Sequence, residues 1–182
     1  MIGQGMHGFV GNDHVKFDNL DDELANPTDL RIFAIAEALE QGYTIDRIEQ
    51  LTKIDKWFLE RLKNIVDMKH ELMRYNSLEE LPDELLKRAK IAGFSDFQIA
   101  RFVIKPQGNM EKENLAVRRH RKQKGIVPAV KRINTVASEH PELTNYLYMT
   151  YAVQGHDIDY YKNEKSVVVL GSGAYRIGSS VE

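Results

Sequence analysis

The residues whose types and spacing come closest to a ligand-binding motif lie near the end of the chain. The apolar run Val167–Leu170 predicts a buried strand, and it leads into a turn that contains Gly171, Gly173 and Gly178. A strand followed by a Gly-rich turn normally feeds a helix, and the free backbone N–H groups at a helix N-terminus favour an anionic ligand. This turn is therefore the first candidate for binding chemistry.

The turn matches two phosphate-binding motifs in part and completes neither. Arg176 occupies the third glycine position of the dinucleotide fingerprint, and Ser179 stands where a P-loop requires the lysine that neutralises the terminal phosphates. The pattern favours a tight strand-to-helix turn in an open α/β sheet. The alternative is a turn that lines a substrate passage, formed by Gly171, Gly173, Arg176 and Gly178.

The helix that should follow this turn is missing, because only Ser179–Glu182 remain after Gly178. We therefore expect the chain to be a piece of a larger enzyme. Most of the residues upstream of the turn are then expected to form a helical module without chemistry of its own.

A second segment is similar to the helical zinc-protease motif, in which two histidines four residues apart bind the metal on one helix face. His70 and Glu71 fit this motif, but Arg74 occupies the second ligand position, where a cation repels zinc. The other histidines have no metal-ligand spacing, and the chain has no cysteine. The sequence therefore predicts no metal site, no catalytic thiolate and no disulfide.

Residues 118–124 form the one strongly basic stretch of the chain. Such a run can bind a phosphate backbone. It can equally be the solvated face of a helix, paired with acidic residues such as Glu111 and Glu113. We favour the solvated face, because the formal net charge of the chain is −2.

The only tryptophan, Trp57, lies next to Phe58 at the predicted start of a helix. This pair favours a place in the core. The alternative is a pair of interface anchors, since large aromatic residues are frequent at the centres of protein–protein contacts.

The composition is that of an ordinary soluble protein: 182 residues, 42% hydrophobic and 29% charged. No apolar run is long enough to span a bilayer, and the N-terminus does not have the pattern of a signal peptide. Together with the absence of cysteine, these features predict a cytoplasmic protein.

Helical spacing and capping residues predict most of the chain as helix, after a Gly- and Asp-rich stretch 1–26 with little periodicity. Helices are expected to start at Asn26, Thr44, Asp55 and Pro82, and to end at Gly42 and Gly93. A capping box at Ser95–Gln98 is expected to start one more helix. The helix that begins at Asp55 is expected to bury Phe58, Leu59, Leu62, Ile65, Val66 and Leu72.

Two of the predicted helix junctions repeat one pattern 51 residues apart. Each contains a glycine, an aromatic residue, a hydroxyl cap and an isoleucine six residues after the glycine: Gly42, Tyr43, Thr44 and Ile48, then Gly93, Phe94, Ser95 and Ile99. The pattern predicts two stacked helix-turn-helix units.

The helical period continues as far as Pro141 and changes to an alternating one after it. A charged helix is expected over Glu111–Lys124, then a helix with Val130, Ile133, Val136 and Ala137 that stops before Pro141. The aromatic run Asn145–Tyr151 reads as a strand, and 155–165 reads as a polar linker. The fold class is therefore mainly α, with a short C-terminal β segment from a truncated α/β domain.

Several of these segments resemble the large subunit of carbamoyl phosphate synthetase. The similar segments are Thr28–Ala36, Leu51–Leu59, Lys90–Asp96, Val130–Glu139, Thr144–Tyr151 and Val168–Gly173 with Arg176–Gly178 and Glu182. In that family they belong to the helical oligomerisation domain between two homologous synthetase halves and to the opening of the second half. Many relatives have Gly-Gln-Gly where this chain has Gly178-Ser179-Ser180.

The resemblance implies four regions. Residues 1–26 are the tail of the preceding half with a linker, 27–141 the helical oligomerisation domain, 142–164 a strand and linker, and 165–182 the truncated start of the second half, a pre-ATP-grasp domain. It implies a connector that holds the two halves in place and self-associates, without catalytic, cofactor-binding or metal-binding residues in this chain.

For the parent enzyme the resemblance implies an ATP-dependent ligase of arginine and pyrimidine biosynthesis. It makes carbamoyl phosphate from bicarbonate, ATP and ammonia, with Mg and K ions. The ammonia is either free or supplied by a glutamine amidotransferase small subunit. Both active sites lie in ATP-grasp domains that this chain lacks.

The rival interpretation is a helix-turn-helix nucleic-acid-binding module. The stretch 38–45 has the helix–Gly–helix turn of such proteins, and the basic run 118–124 would contact phosphates. Against it, the second helix of that motif exposes Asp46 and Glu49, whose charge repels DNA.

Overall fold

The computed structural model describes residues 6–106, 108, 110–132, 147–159, 165 and 167. Its helices are α1 (Leu20–Ala25), α2 (Arg31–Glu40), α3 (Ile45–Thr52), α4 (Lys56–Leu72), α5 (Asp83–Ile91), α6 (Asp96–Ile99) with its π-helical continuation Ala100–Ile104, and α7 (Met110–Gln123). Its strands are β1 (Ala129–Arg132) and β2 (Leu147–Thr150), which pair in an antiparallel two-stranded sheet. The prediction of a mainly α fold with a short C-terminal β segment is confirmed.

The chain divides into two compact units. The helical unit comprises Met1–Ala129 and Met149–Gln154, and the second unit comprises Val130–Tyr148 and Gly155–Glu182. No helix in the described part of the chain is long and apolar enough to cross a membrane. The predicted domain boundaries at residues 26, 141 and 164 remain predictions.

One hydrophobic core runs through the helical unit, from the segment before α1 to α7. Its largest fully buried side chains are Val10, Leu24, Ile35, Ile48, Leu59, Val66, Leu72, Leu86, Ile99, Val103 and Val117. Burying an aliphatic side chain of this size stabilises a fold by about 1.5–3 kcal/mol. Because each of the seven described helices contributes at least one of these side chains, the helical unit packs around a single core.

The first helix was not predicted, and its presence moves the start of the second. Asn19 caps α1 by accepting the Asp22 N–H (3.1 Å), and Asn26 closes that helix by donating its N–H to the Asp22 carbonyl (2.7 Å). The prediction that Asn26 starts the next helix is therefore wrong, and α2 begins at Arg31. An asparagine at a helix boundary suits a start and an end, so the sequence alone did not distinguish them.

A single arginine joins the first three helices. The Arg31 guanidinium donates to the Leu24 carbonyl (2.8 Å) and to the Thr52 carbonyl (2.6 Å). A second link is the ion pair of Arg47 with Asp21 (2.7 Å), and the hydrogen bond from Arg47 lowers the pKa of the Asp21 carboxyl. The two hydrogen bonds of Arg31 use backbone carbonyls that are free at the ends of α1 and α3.

The two repeated junctions have the same backbone geometry, as their sequence pattern predicted. Each contains a glycine in the left-handed region, at φ +81° for Gly42 and φ +93° for Gly93. The aromatic N–H that follows donates to the carbonyl five residues back, from Tyr43 to Ala38 (2.9 Å) and from Phe94 to Ala89 (3.0 Å). This is the Schellman arrangement that ends many helices.

The second half of each junction also repeats. Thr44 accepts a backbone N–H of α3 (3.2 Å), and Ser95 accepts the Gln98 N–H (3.0 Å) in the predicted capping box. The isoleucines Ile48 and Ile99 that follow are fully buried. Local hydrogen bonds therefore determine both junctions. The predicted stacking of the two helix-turn-helix units on each other stays a prediction.

Replacing either junction glycine by alanine is expected to destabilise the helical unit by about 1–2 kcal/mol, the cost of an L-residue in the left-handed region. No atom lies within 4 Å of a Cβ added at Gly42 or Gly93, so the effect is one of backbone conformation alone. Urea unfolding followed by circular dichroism measures it. Gly108→Ala is the matched control, because Gly108 is equally open and its φ is not left-handed. An equal loss in the control would contradict the explanation.

The predicted helix after residue 129 is wrong where the structure describes it, because Val130 lies in β1. Its backbone is held by distant partners in the second unit: the Val130 N–H donates to His156 Nδ1 (3.0 Å), and the Asp157 N–H donates to the Val130 carbonyl (3.0 Å). Lys131 pairs with Asp157 (2.5 Å), and this hydrogen bond lowers the Asp157 pKa. Ile133, Val136, Ala137 and Pro141 lie outside the described residues. The predicted strand at 145–151 is confirmed over Leu147–Thr150, which form β2, and residues 145–146 lie outside the described residues.

Candidate functional site

An exposed aromatic pair marks the first turn of α4. Trp57 is 54% exposed and Phe58 is 57% exposed, and their rings meet edge to face with centroids 5.0 Å apart. The Arg61 guanidinium carbon lies 4.9 Å from the Trp57 ring centroid, within the range of a cation–π contact. We call Trp57, Phe58 and Arg61 the aromatic patch.

The helix start that carries the aromatic patch is held on both sides. Asp55 caps α4 by accepting the Trp57 N–H (2.8 Å), as its position in the sequence predicted. Lys56 pairs with Asp46 of α3 (2.5 Å), and this hydrogen bond raises the Lys56 pKa. Leu59, the next residue after the pair, is fully buried. The patch is therefore presented by a fixed helical turn rather than by a loop.

The prediction that Trp57 and Phe58 lie in the core is wrong. The inward face of α4 is taken by Leu59, Val66 and Leu72, with Leu62 and Ile65 partly buried. Successive residues on a helix point about 100° apart, so the two residues before Leu59 point away from that face. The alternative interpretation, that the pair anchors an interface, stays a prediction. Tryptophan and arginine are enriched at the centres of protein–protein contacts.

A buried charge cluster joins three other helices. Asp96 of α6 accepts Arg121 Nε at both carboxylate oxygens (2.9 Å each) and Lys90 Nζ at one (2.8 Å). Lys90 Nζ also donates to the Phe94 carbonyl (2.7 Å), and Arg121 Nη1 donates to the Ile126 carbonyl (3.1 Å). Lys90 and Arg121 are buried, and burial is the main cause that lowers the Lys90 pKa. We call Lys90, Asp96 and Arg121 the charge cluster.

The charge cluster corrects the prediction for the basic run. Arg118, Arg119 and Lys122 are exposed, as expected of a solvated helix face, but Arg121 is buried. Two cations of the run pair with acidic residues of other helices: Arg121 pairs with Asp96, and Lys124 pairs with Asp83 (3.1 Å). Sequence reasoning missed the cluster, although Arg121 lies four residues after the fully buried Val117, on the core side of α7.

The remaining candidates are the segment at His70 and the glycine turn near the end of the chain. His70 Nε2 lies 2.7 Å from Glu40, which also accepts Lys69 Nζ (2.6 Å), so the segment that is similar to a zinc motif contributes to the contact between α2 and α4. Among the described residues, no group of three or more His, Cys, Asp or Glu side chains is placed to hold a metal ion. The candidate turn with Gly171, Gly173, Arg176 and Gly178 lies outside the described residues.

Comparison with known protein families identifies this helical unit. The model of the carbamoyl-phosphate synthetase large chain, oligomerisation domain, matches residues 1–125, which include all seven helices. The chain belongs to this family. The predicted resemblance is thereby confirmed, and the oligomerisation domain is the part that carries the aromatic patch and the charge cluster.

Curated relatives contain the same domain within far longer chains. The multifunctional protein pyr1-3 of Dictyostelium discoideum is 52% identical over 91% of this chain, and the multifunctional protein URA2 of Saccharomyces cerevisiae is 48% identical over 90%. The mitochondrial carbamoyl phosphate synthase arginine-specific large chain of Neurospora crassa is 50% identical over 96%. The chain spans only 7%, 7% and 14% of these relatives. Nothing in these comparisons supports the rival nucleic-acid-binding interpretation.

Proposed function

We propose that this oligomerisation domain acts as a non-catalytic spacer that holds the two synthetase halves of its parent enzyme at a fixed separation and joins copies of the parent through the aromatic patch. The continuous core of the helical unit supports the first role. The exposed Trp57 and Phe58 on a fixed helical turn support the second.

The parent enzyme that we propose is a carbamoyl-phosphate synthase, an ATP-dependent ligase. Its substrates are bicarbonate, ATP and ammonia, and the ammonia is free or delivered from glutamine by an amidotransferase small subunit. ATP, Mg and K ions act in the ATP-grasp halves outside this chain. The names of the relatives include an arginine-specific carbamoyl phosphate synthase and multifunctional proteins, which supports this class of parent.

A rigid spacer suits this chemistry, because carbamate is hydrolytically labile and must pass between two active sites without meeting bulk water. Side chains packed at crystal-like density transmit position over the length of a domain, whereas a flexible linker does not. The cytoplasm is the compartment that we propose. Some relatives are named as mitochondrial enzymes, so fractionation of the source cells tests this point.

The chain by itself is expected to be inactive and to bind ATP no more tightly than millimolar. Isothermal titration calorimetry with Mg-ATP tests this expectation. A micromolar dissociation constant would show that the chain holds a nucleotide site of its own, and the spacer proposal would then be wrong.

Light scattering over a wide concentration range tests the self-association. The chain and a version that ends at Asn163 are expected to associate at the same concentration, because the aromatic patch is present in both. Association of the longer version alone would place the contact in residues 164–182 instead. Two monomeric versions at every concentration would contradict the proposed role of the patch.

A further inference from the structure

The charge cluster holds a residue from outside the seven helices. The described chain leaves the helical unit after Ala129 and returns to it at Met149–Gln154, a segment that we call the strap. Within the strap, the Tyr151 ring centroid lies 5.0 Å from Lys90 Nζ and 5.5 Å from the Arg121 guanidinium carbon. Both distances are within the reach of a cation–π contact.

Tyr151 is the strap residue that packs against the core of the helical unit, and it is half-buried. Met149 is 75% exposed and Val153 is 46% exposed, and Ala152 and Gln154 are exposed as well. Tyr151 instead packs against the hydrophobic core, and burial raises its pKa. Its ring and the neighbouring Thr150 line a cleft whose other wall is formed by the turn between α5 and α6, which includes Gly93, Phe94 and Ser95.

The two cations under the ring are suited to hold an aromatic residue. Both are shielded from water, which strengthens a cation–π contact relative to one at the surface. Asp96 fixes both cations through hydrogen bonds of 2.8 and 2.9 Å, so neither has to be immobilised when the ring binds. The carboxylate neutralises one of the two positive charges, and the other remains to attract the negative face of the ring.

We propose that the charge cluster is a seat for Tyr151 and that this side chain fastens the strap to the oligomerisation domain beyond Thr150, where β2 ends. Residues 151–154 can then leave the seat and return to it without unfolding of the helices, because Ala152, Val153 and Gln154 are exposed and Tyr151 supplies the contact with the core. Tyr151 is thus a positioning residue for the point at which the chain comes back to the helical unit.

Hydrogen–deuterium exchange of the whole chain, analysed by mass spectrometry, tests the seat. Tyr151→Leu keeps an apolar side chain but removes the aromatic ring, and it is expected to raise the exchange rate of the strap amides by roughly fivefold to thirtyfold, as the loss of two shielded cation–π contacts predicts. Tyr151→Phe keeps the ring and is expected to exchange within about twofold of the original chain. Peptides from α5 and α7 are expected to be unchanged in both variants.

Val153→Ala is the control for a change within the strap, since Val153 is exposed and its exchange is expected to stay at the original rate. Three results would overturn the proposal. Original protection in Tyr151→Leu would mean that the ring does not hold the strap. Equal loss in Tyr151→Phe would assign the hold to the hydroxyl group. Faster exchange throughout α5 and α7 would make Tyr151 an ordinary core residue rather than the fastening of a separate strap.

Discussion

Replacing both Trp57 and Phe58 by alanine is expected to weaken self-association of the chain by about 30-fold or more. Truncating an aromatic hot spot at the centre of an interface costs at least about 2 kcal/mol of binding free energy, which is a factor of about 30 in the dissociation constant, and the costs of neighbouring hot spots do not simply add. Both side chains are more than half exposed in the single chain, so their loss removes little of the hydrophobic core. Sedimentation equilibrium of the original chain and the double variant measures the change in the dissociation constant.

Leu115→Ala is the matched control for this experiment. Leu115 is a similarly exposed apolar residue, 40% accessible, but it lies on α7 and outside the aromatic patch. The control is expected to associate like the original chain, and all variants are expected to unfold at nearly the same urea concentration. If the double variant associates as tightly as the original chain, the interface lies elsewhere on the molecule.

The second large effect is expected at the charge cluster. Asp96→Ala is expected to destabilise the helical unit by about 3–5 kcal/mol, because it leaves two buried cations without their carboxylate. The side chains of Lys90 and Arg121 are only 6% and 10% exposed, so water replaces little of the lost interaction. Chemical denaturation followed by circular dichroism measures the free energy of unfolding.

An exposed ion pair of the same helices provides the control. Asp83 pairs with Lys124, and both side chains are more than 40% exposed. Asp83→Ala is expected to lower stability by no more than about 1 kcal/mol, the usual range for a surface pair. A loss of the same size at Asp83 and Asp96 would contradict the argument from burial.

Removing the whole charge cluster separates its charge from its packing. The triple variant Lys90→Met, Asp96→Leu and Arg121→Met leaves no buried charge without a partner, and apolar replacements of buried ion networks are often neutral or stabilising. It is expected to recover most of the stability that Asp96→Ala loses. A triple variant as unstable as the single one would mean that the hydrogen bonds to the Phe94 and Ile126 carbonyls, rather than charge balance, dominate.

The predictions from the sequence agree best with the structure where the deciding interactions join residues that are close together in the sequence. Thr44, Asp55 and Ser95 were predicted as helix caps, and each accepts a backbone N–H two or three residues ahead. Gly42 and Gly93 were predicted as helix ends, and each adopts the left-handed conformation that glycine tolerates. The hydrogen bonds of a helix cap or a helix end involve only residues a few positions away. A short stretch of sequence is therefore enough to predict them.

The errors of the sequence analysis arise where a distant residue decides. Val130 follows a helical pattern, but His156 and Asp157 take its backbone groups, and the residue becomes part of a strand. Trp57 is apolar enough for a core. However, Leu59, Val66 and Leu72 fill the inward face of α4, so Trp57 lies on the exposed face of the helix. Propensity is a weak prior against such tertiary contacts.

The sequence by itself determined the family, the mainly helical class and the positions of most helix boundaries, because these depend on composition and on contacts within a few residues. Only the tertiary structure showed that Trp57 and Phe58 are exposed and that Lys90, Asp96, Arg121 and Tyr151 meet. Those four residues lie on α5, α6, α7 and the strap. Their proximity follows from how the helices pack on a shared core, and packing depends on the shapes of all the surrounding side chains at once.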